Sequence, residues 1–229
     1  MTTRILHVVT NVDQYDAPSH PTGLWLSELT HAYHVFEEKG YEQTIVSPKG
    51  GKSPLEPRSL KWPNFDKTAK AWKSSDERMA LLADTAKPED IDPTEFDAIY
   101  FTGGHAVMWD FPDSEALQAI TRGIWENGGV VSSVCHGYVG LLNTRLSDGT
   151  LLVDGRKVTG FSWREEVVAR VDKLVPYDAE AEMKRRGALY EKAKLPFVPY
   201  VVADGRLVTG QNPQSAKATA NKVAEVLSD

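Results

Sequence analysis

Short apolar runs recur along this chain, each followed by a segment of helical periodicity, and that alternation leaves few ways to fold. ILHVVT at Ile5–Thr10, a shorter run at Thr44–Ser47, AIYF at Ala98–Phe101 and VVSSV at Val130–Val134 lack regular in-and-out patterning. Strands of that kind are covered on both faces, which a mostly parallel sheet clad by helices provides. The segments between them fit. Gly23–Lys39 brings Leu24, Leu26, Leu29, Tyr33 and Phe36 back at roughly helical spacing and stops at Gly40. Ser114–Asn127 opens on an Asp113 or Ser114 cap and ends at Gly128-Gly129. Gly137–Leu142 reads as the start of another helix. Further strands are expected at Lys157–Thr159, Val198–Val202 and Leu207–Thr209, with Asp204-Gly205 as a hairpin turn, and Ser215–Leu227 closes as an amphipathic helix. With no linker in sight, residues 1–229 read as a single doubly wound α/β domain with helices on both faces.

One stretch departs from the alternation. Residues 48–93 are rich in Pro, Gly and Trp, and only Asp76–Thr85 reads as a helix. Such a long irregular segment within a domain is usually functional, so it is expected to be a lid-like insertion. Trp62 and Trp72 suggest that it packs onto something.

Composition removes several function classes. The net charge of -6 leaves no basic field for nucleic acid or anionic lipid. One cysteine cannot form an internal disulfide, which favours a reducing compartment and a cytoplasmic location. The opening MTTRILHVVTNVDQYD lacks the pattern of a secretory signal, and no apolar run reaches the ~20 residues of a membrane helix. No G-x-G-x-x-G follows a strand, so no nicotinamide site is expected.

That single cysteine stands in GGVVSSVCHGYVGLL, at residues 128–142, where the apolar run stops. Strand, Cys135-His136-Gly137, then helix is the pattern of a nucleophile elbow, which projects its side chain at the carboxyl end of the sheet. A following helix N-terminus would stabilise a thiolate and offer amides to an oxyanion. The alternative is a buried, inert cysteine. Gly103-Gly104-His105 directly follows Ala98–Phe101 and reads either as a backbone donor facing a ligand or as a plain tight turn. Thr22–Glu28 places Glu28 on an otherwise apolar helix face. It reads as a solvated or capping residue, or as an inward carboxyl of raised pKa near the thiol.

Taken in order, these stretches resemble the ThiJ/PfpI superfamily, and within it the stress-protein branch of glutathione-independent glyoxalases also described as chaperones and deglycases. The likeness rests on Thr22-Gly23 through Glu28, Gly103-Gly104-His105 followed by Trp109-Asp110-Phe111-Pro112, Asn127 through Gly137, and Asp204 through Pro213. It spans nearly the whole chain. The resemblance implies a flavodoxin-like fold related to class I glutamine amidotransferases, and a homodimer. It also implies Cys135 as nucleophile, His136 as its partner and Glu28 as the acid beside the thiol. The third triad member would be the acid after Val158-Thr159-Gly160-Phe161, with Glu166 fitting better than Glu165. Thr102 stands where proline is usual, and Ser162-Trp163-Arg164 replaces smaller residues. All six histidines lie at or before position 136, so the downstream histidine of a glutaminase is missing. His31 and His34 share a helix face without further ligands, and no metal or other cofactor is expected.

The leading expectation is conversion of methylglyoxal or glyoxal to D-lactate or glycolate, with a small dicarbonyl as substrate and Gly103, Gly104 and His105 shaping the oxyanion and substrate site. A cysteine hydrolase of amides, peptides or glycated adducts comes second. A holdase chaperone or redox sensor comes third, and exposed apolar surface at Trp62, Trp72 and Trp109 would favour it.

Overall fold

Side chains of alternate strand residues enter two separate cores, which is how one sheet comes to be clad on both sides. The computed structural model describes residues 2–16 and 20–228. Strand β1 (Arg4–Val8) leads to helix α1 (Leu26–Glu38) and β2 (Glu42–Val46), then α2 (Lys67–Lys73) and α3 (Asp76–Ala83). Next come β3 (Ala98–Phe101), α4 (Val107–Asp110), α5 (Glu115–Glu126) and β4 (Val130–Val134). The remainder is β5 (Lys157–Val158), α6 (Trp163–Ala169), α7 (Ala179–Arg185), β6 (Leu189–Tyr190), β7 (Val201–Asp204), β8 (Leu207–Gly210) and α8 (Ala216–Val226).

The main sheet has the order β2-β1-β3-β4-β8-β7. All its pairs are parallel except β7–β8. The first five positions follow the flavodoxin-like order of doubly wound sheets, with β7 added as an antiparallel edge. Leu6, Val8, Ile99, Phe101 and Val131 face one core, completed by Leu117, Ile120 and Ile124 of α5. Ile5, Ala98, Tyr100, Val130 and Val134 face the other, where α1 supplies Ala32, Val35 and Phe36 and α8 supplies Ala216, Ala220 and Val223. Strands β5 and β6 pair with each other outside this sheet.

Several expected elements are corrected by local chemistry. Residues 198–200 stay outside the sheet and β7 starts at Val201. Pro196 and Pro199 cannot donate to a ladder, and the Val198 carbonyl accepts from Asn212 Nδ2 instead (2.8 Å). The helix expected from Gly137 is a seven-residue 3-10 turn, Cys135–Leu141. It is pressed against β3, since a Cβ on Gly137 would lie 2.3 Å from the Phe101 carbonyl oxygen. The turn at Asp204-Gly205 closes β7 onto β8 as expected, Asp204 facing Leu207.

Segment 48–93 is more ordered than its composition suggested. It carries α2, α3 and 3-10 turns at Pro57–Leu60, Pro88–Asp90 and Pro93–Glu95. Bridges Leu24↔Leu55, Val46↔Ala86 and Gly51↔Thr85 stitch it to the chain around α1 and to itself. Ala69, Trp72 and Leu82 pack with Val9, Leu24, Leu26, Leu29 and Ile45 in a third apolar cluster.

Candidate active site

The carboxyl ends of β3 and β4 and the first turn of α1 converge on Cys135, which is 2% exposed. The backbone there has φ of 56°, left-handed and unusual for a residue with a side chain. Such a conformation costs about 1–2 kcal/mol, which the surrounding structure must hold. The kink aims the thiol away from the strand, as an elbow does. The help a helix N-terminus was expected to give a thiolate is opposed by the thiol's surroundings. Burial, and then the neighbouring Glu28 charge, push its pKa well above the usual thiol value. The following element is a short 3-10 turn, so its dipole cannot outweigh that burial.

Glu28 faces inward and is fully buried. Burial raises its pKa to about 8, even though the carboxyl lies against the thiol and accepts from Gly103 N–H at 2.7 Å. Its other oxygen, Oε1, makes no hydrogen bond to nitrogen or oxygen. The closeness explains the glycine: a Cβ on Gly103 would sit 2.8 Å from Glu28 Oε2, 2.8 Å from His136 N and 3.0 Å from Cys135 Cβ. Because the Gly103 amide is occupied by Glu28, it is not free to bind an oxyanion. The backbone N–H of His136 faces Cys135 Sγ. Together with the amide of Gly104, which lines the same cavity, it is the remaining backbone candidate.

On the other side of the sulfur, His136 Nδ1 lies 3.3 Å from Sγ, and its Nε2 meets Glu166 Oε1 at 2.5 Å. The second oxygen of Glu166 meets His105 Nε2 at 3.0 Å. Burial alone would raise the Glu166 pKa, but the two imidazoles hold it well below the usual carboxylate range. Glu165, its neighbour, points elsewhere. It forms a capping box with Ser162 and accepts from Phe197 N–H, Gln211 Nε2 and Asn212 Nδ2. A Ser162-x-x-Glu165 pattern signals that helix start, though the run is short.

His105 arrives from the turn after β3, and its Nδ1 accepts from Arg58 Nη2 at 2.8 Å. Burial, and then the charges of His136 and Arg58, depress its pKa to about 4 despite the carboxylate beside it. Arg58, with Glu56 and Tyr15 behind it, carried no signal in the sequence: one arginine in an irregular segment looks like any other.

Cys135, His136, His105 and Arg58 line a cavity of about 380 Å³ also walled by Trp25, Lys61, Trp62, Phe161, Phe197 and Gln214. Residues 58–64 of the insertion therefore form one side of it. Trp62 at the rim is 89% exposed, whereas Trp72 is buried and Trp109 half-buried. The three tryptophans do not make one exposed patch. A wider groove of about 800 Å³ near Arg122, Arg145 and Arg186 holds no nucleophile. Among the described residues, one group of three could surround an ion: His105, His136 and Glu166. Their facing atoms are engaged in the hydrogen bonds just given, and the Arg58 charge abuts His105, which opposes a cation there. His31 instead pairs with Asp66 (2.5 Å) and His34 with Glu38 (3.4 Å). No helix among the described residues is long and apolar enough to cross a membrane.

The chain is similar to several known proteins. The model of the DJ-1/PfpI family matches residues 22–226. A glutathione-independent glyoxalase of Saccharomyces cerevisiae, HSP31, is 32% identical, with 94% of this chain and 93% of that protein covered. The crystal structure of glyoxalase III from Candida albicans is similar at a TM-score of 0.88 and 29% identity, covering 98% of this chain and 97% of that one. The Rapid Encystment Protein of 24 kDa from Francisella tularensis superposes at a TM-score of 0.94 with 33% identity, covering 99% of both chains.

Proposed function

Because this chain belongs to the DJ-1/PfpI family, we propose that it is a glutathione-independent glyoxalase, converting methylglyoxal or glyoxal and water to D-lactate or glycolate. The observation that carries the reading is the thiol of Cys135 held between Glu28 and His136 at the base of one cavity. In this reading Sγ attacks the aldehyde carbon while its proton passes to His136 Nδ1 and on to the aldehyde oxygen, giving a hemithioacetal. The amides of Gly104 and His136 hold that oxygen. Ionised Glu28 removes the hydrogen on the attacked carbon and returns it to the adjacent carbon, while an O–H proton crosses between the two oxygens through an enediol. The product is a thioester of a 2-hydroxy acid. Water cleaves its C–S bond and restores the thiol.

A carboxyl whose pKa is about 8 suits this shuttle. An acid–base catalyst works best when its pKa lies near the operating pH. Glu166 keeps the His136 imidazolium oriented and compensated, as the acid of a triad does. Residues 48–93 act as a lid through the wall at 58–64. The single thiol suits a cytoplasmic enzyme, and a homodimer is the expected assembly.

The test is D-lactate formation from methylglyoxal without glutathione. Wild type should turn over. Cys135→Ala should be inactive, and Glu28→Gln should fall by about 10²- to 10⁴-fold, the usual contribution of a positioned acid–base group. A folded wild type without turnover would refute the reading.

A further inference from the structure

We propose that Arg58, carried by the insertion, is a positioning residue that sets the tautomer of His105 and through it the geometry of the reacting pair. A guanidinium can only donate, so the His105 Nδ1 that receives Arg58 Nη2 at 2.8 Å carries no proton. A neutral imidazole then has its one N–H on Nε2, aimed at Glu166 Oε2 (3.0 Å). Glu166 is thereby a double acceptor, from His105 on one oxygen and His136 on the other. With its Nε2–H committed, His136 presents Nδ1, and no other atom, to Sγ. Were His105 to carry its proton on Nδ1, a lone pair would face the Glu166 carboxylate. The carboxyl would turn away and release the ring of His136.

Arg58 is itself held with unusual care. Its Nε donates to Glu56 Oε1 and its Nη2 to Glu56 Oε2, both at 2.9 Å, and Nη2 also reaches Tyr15 Oη at 2.6 Å. Glu56 is buried and accepts in turn from Thr22 Oγ1 (2.9 Å). The backbone of residues 54–56 is laced to Leu24 by Leu24 N–H to Pro54 O and Glu56 N–H to Leu24 O. One clamp thus links the loop leading into the Glu28 helix with the arginine that governs Glu166. The planar fork grips both oxygens of Glu56 through Nε and Nη2, and the second hydrogen of Nη2 is shared between Tyr15 Oη and His105 Nδ1; lysine has no such fork.

The inference rests on reading Cys135, His136 and Glu166 as the reacting set. Its primary test does not depend on turnover. The nitrogen resonances of [15N]histidine-labelled protein report each ring's tautomer. Wild-type His105 should be the Nε2–H form; Arg58→Met should shift it toward Nδ1–H or a mixture, whereas Arg58→Lys, whose ammonium also only donates, should keep it. Alkylation of Cys135 by iodoacetamide at fixed pH should change rate in Arg58→Met. On methylglyoxal, kcat should fall by up to about 10²-fold, the scale of a small misplacement, with KM changed little. An Nδ1–H ring in the wild type would overturn the inference, as would Arg58→Met with full rate and unchanged spectrum. Should Arg58→Met fail to fold, the wild-type spectrum still decides. A protein with the tautomer shift but no activity on methylglyoxal would uphold Arg58 and refute the proposed substrate.

Discussion

Two adjacent glutamates show how far apart the duties of neighbouring residues lie. Glu165 Oε1 accepts from Phe197 N–H and Asn212 Nδ2, and its Oε2 from Gln211 Nε2 and from Ser162. Glu165→Ala would leave at least three of these donors unpaired at about 1–3 kcal/mol each, so urea denaturation should show a loss of about 3 kcal/mol or more. Glu166→Gln keeps the volume and loses the charge between two imidazoles. Its far-UV circular dichroism should match the wild type while turnover falls by about 10²-fold or more. Choosing between this pair from sequence alone was a matter of spacing, because both are acids in one helical turn. Cys135, His136 and Glu28 were readable for a different reason: each sits in a local pattern, elbow or apolar helix face, that restricts where its side chain can point. Gly103 was read as an amide for an oxyanion. The competing acceptor, Glu28, comes from a distant element and could not be seen in the local pattern. Arg58 and Glu56 escaped for the same reason, since their partners lie 47 and 34 positions away along the chain.

Among the elements, strands buried on both faces were the most readable, because lack of alternation leaves them one environment. Short helices were the least. α2, α6 and α7 have seven residues each, too few for a periodic stripe to stand out. The turn Cys135–Leu141 shows tertiary contact overriding a local tendency. Glycine at 137 permits the backbone to lie against the end of β3, and Gly137→Ala would drive a methyl into the Phe101 carbonyl. Overpacking of this kind costs about 1–3 kcal/mol. Thermal melts of Gly137→Ala should show that loss. Iodoacetamide labelling should also change, since displacing the turn displaces Cys135. An unaltered melt and labelling rate would mean that the turn is held by something other than this contact.

Over the whole molecule, buried ionisable groups set how stability follows pH. His7 and His105 have folded pKa values lowered by burial to about 4 from 6.5, so between those values the unfolded chain binds more protons and stability rises with pH. Glu28, raised from 4.5 to about 8, and Asp110, raised from 3.8 to about 6, act in the opposite sense within their own windows. The two pairs offset each other between about pH 4.5 and 6. Of these four, Glu28 alone is left in play above about pH 6.5, so the melting temperature should decline from there to pH 8. That decline should vanish in Glu28→Gln, and its persistence would assign the alkaline loss to another group. The insertion carries a consequence of a different kind, for how such an enzyme could diversify. Within a few residues it passes from Glu56 and Arg58, locked into the buried relay, to Lys61, Trp62 and Asn64, which meet the cavity from its solvent side. Heritable change at the latter three can reshape what enters without disturbing the bond-making atoms. Change at the former two reaches the chemistry directly. New substrates and a preserved reaction are thus separable on one short turn, and a lineage could explore the first while conserving the second.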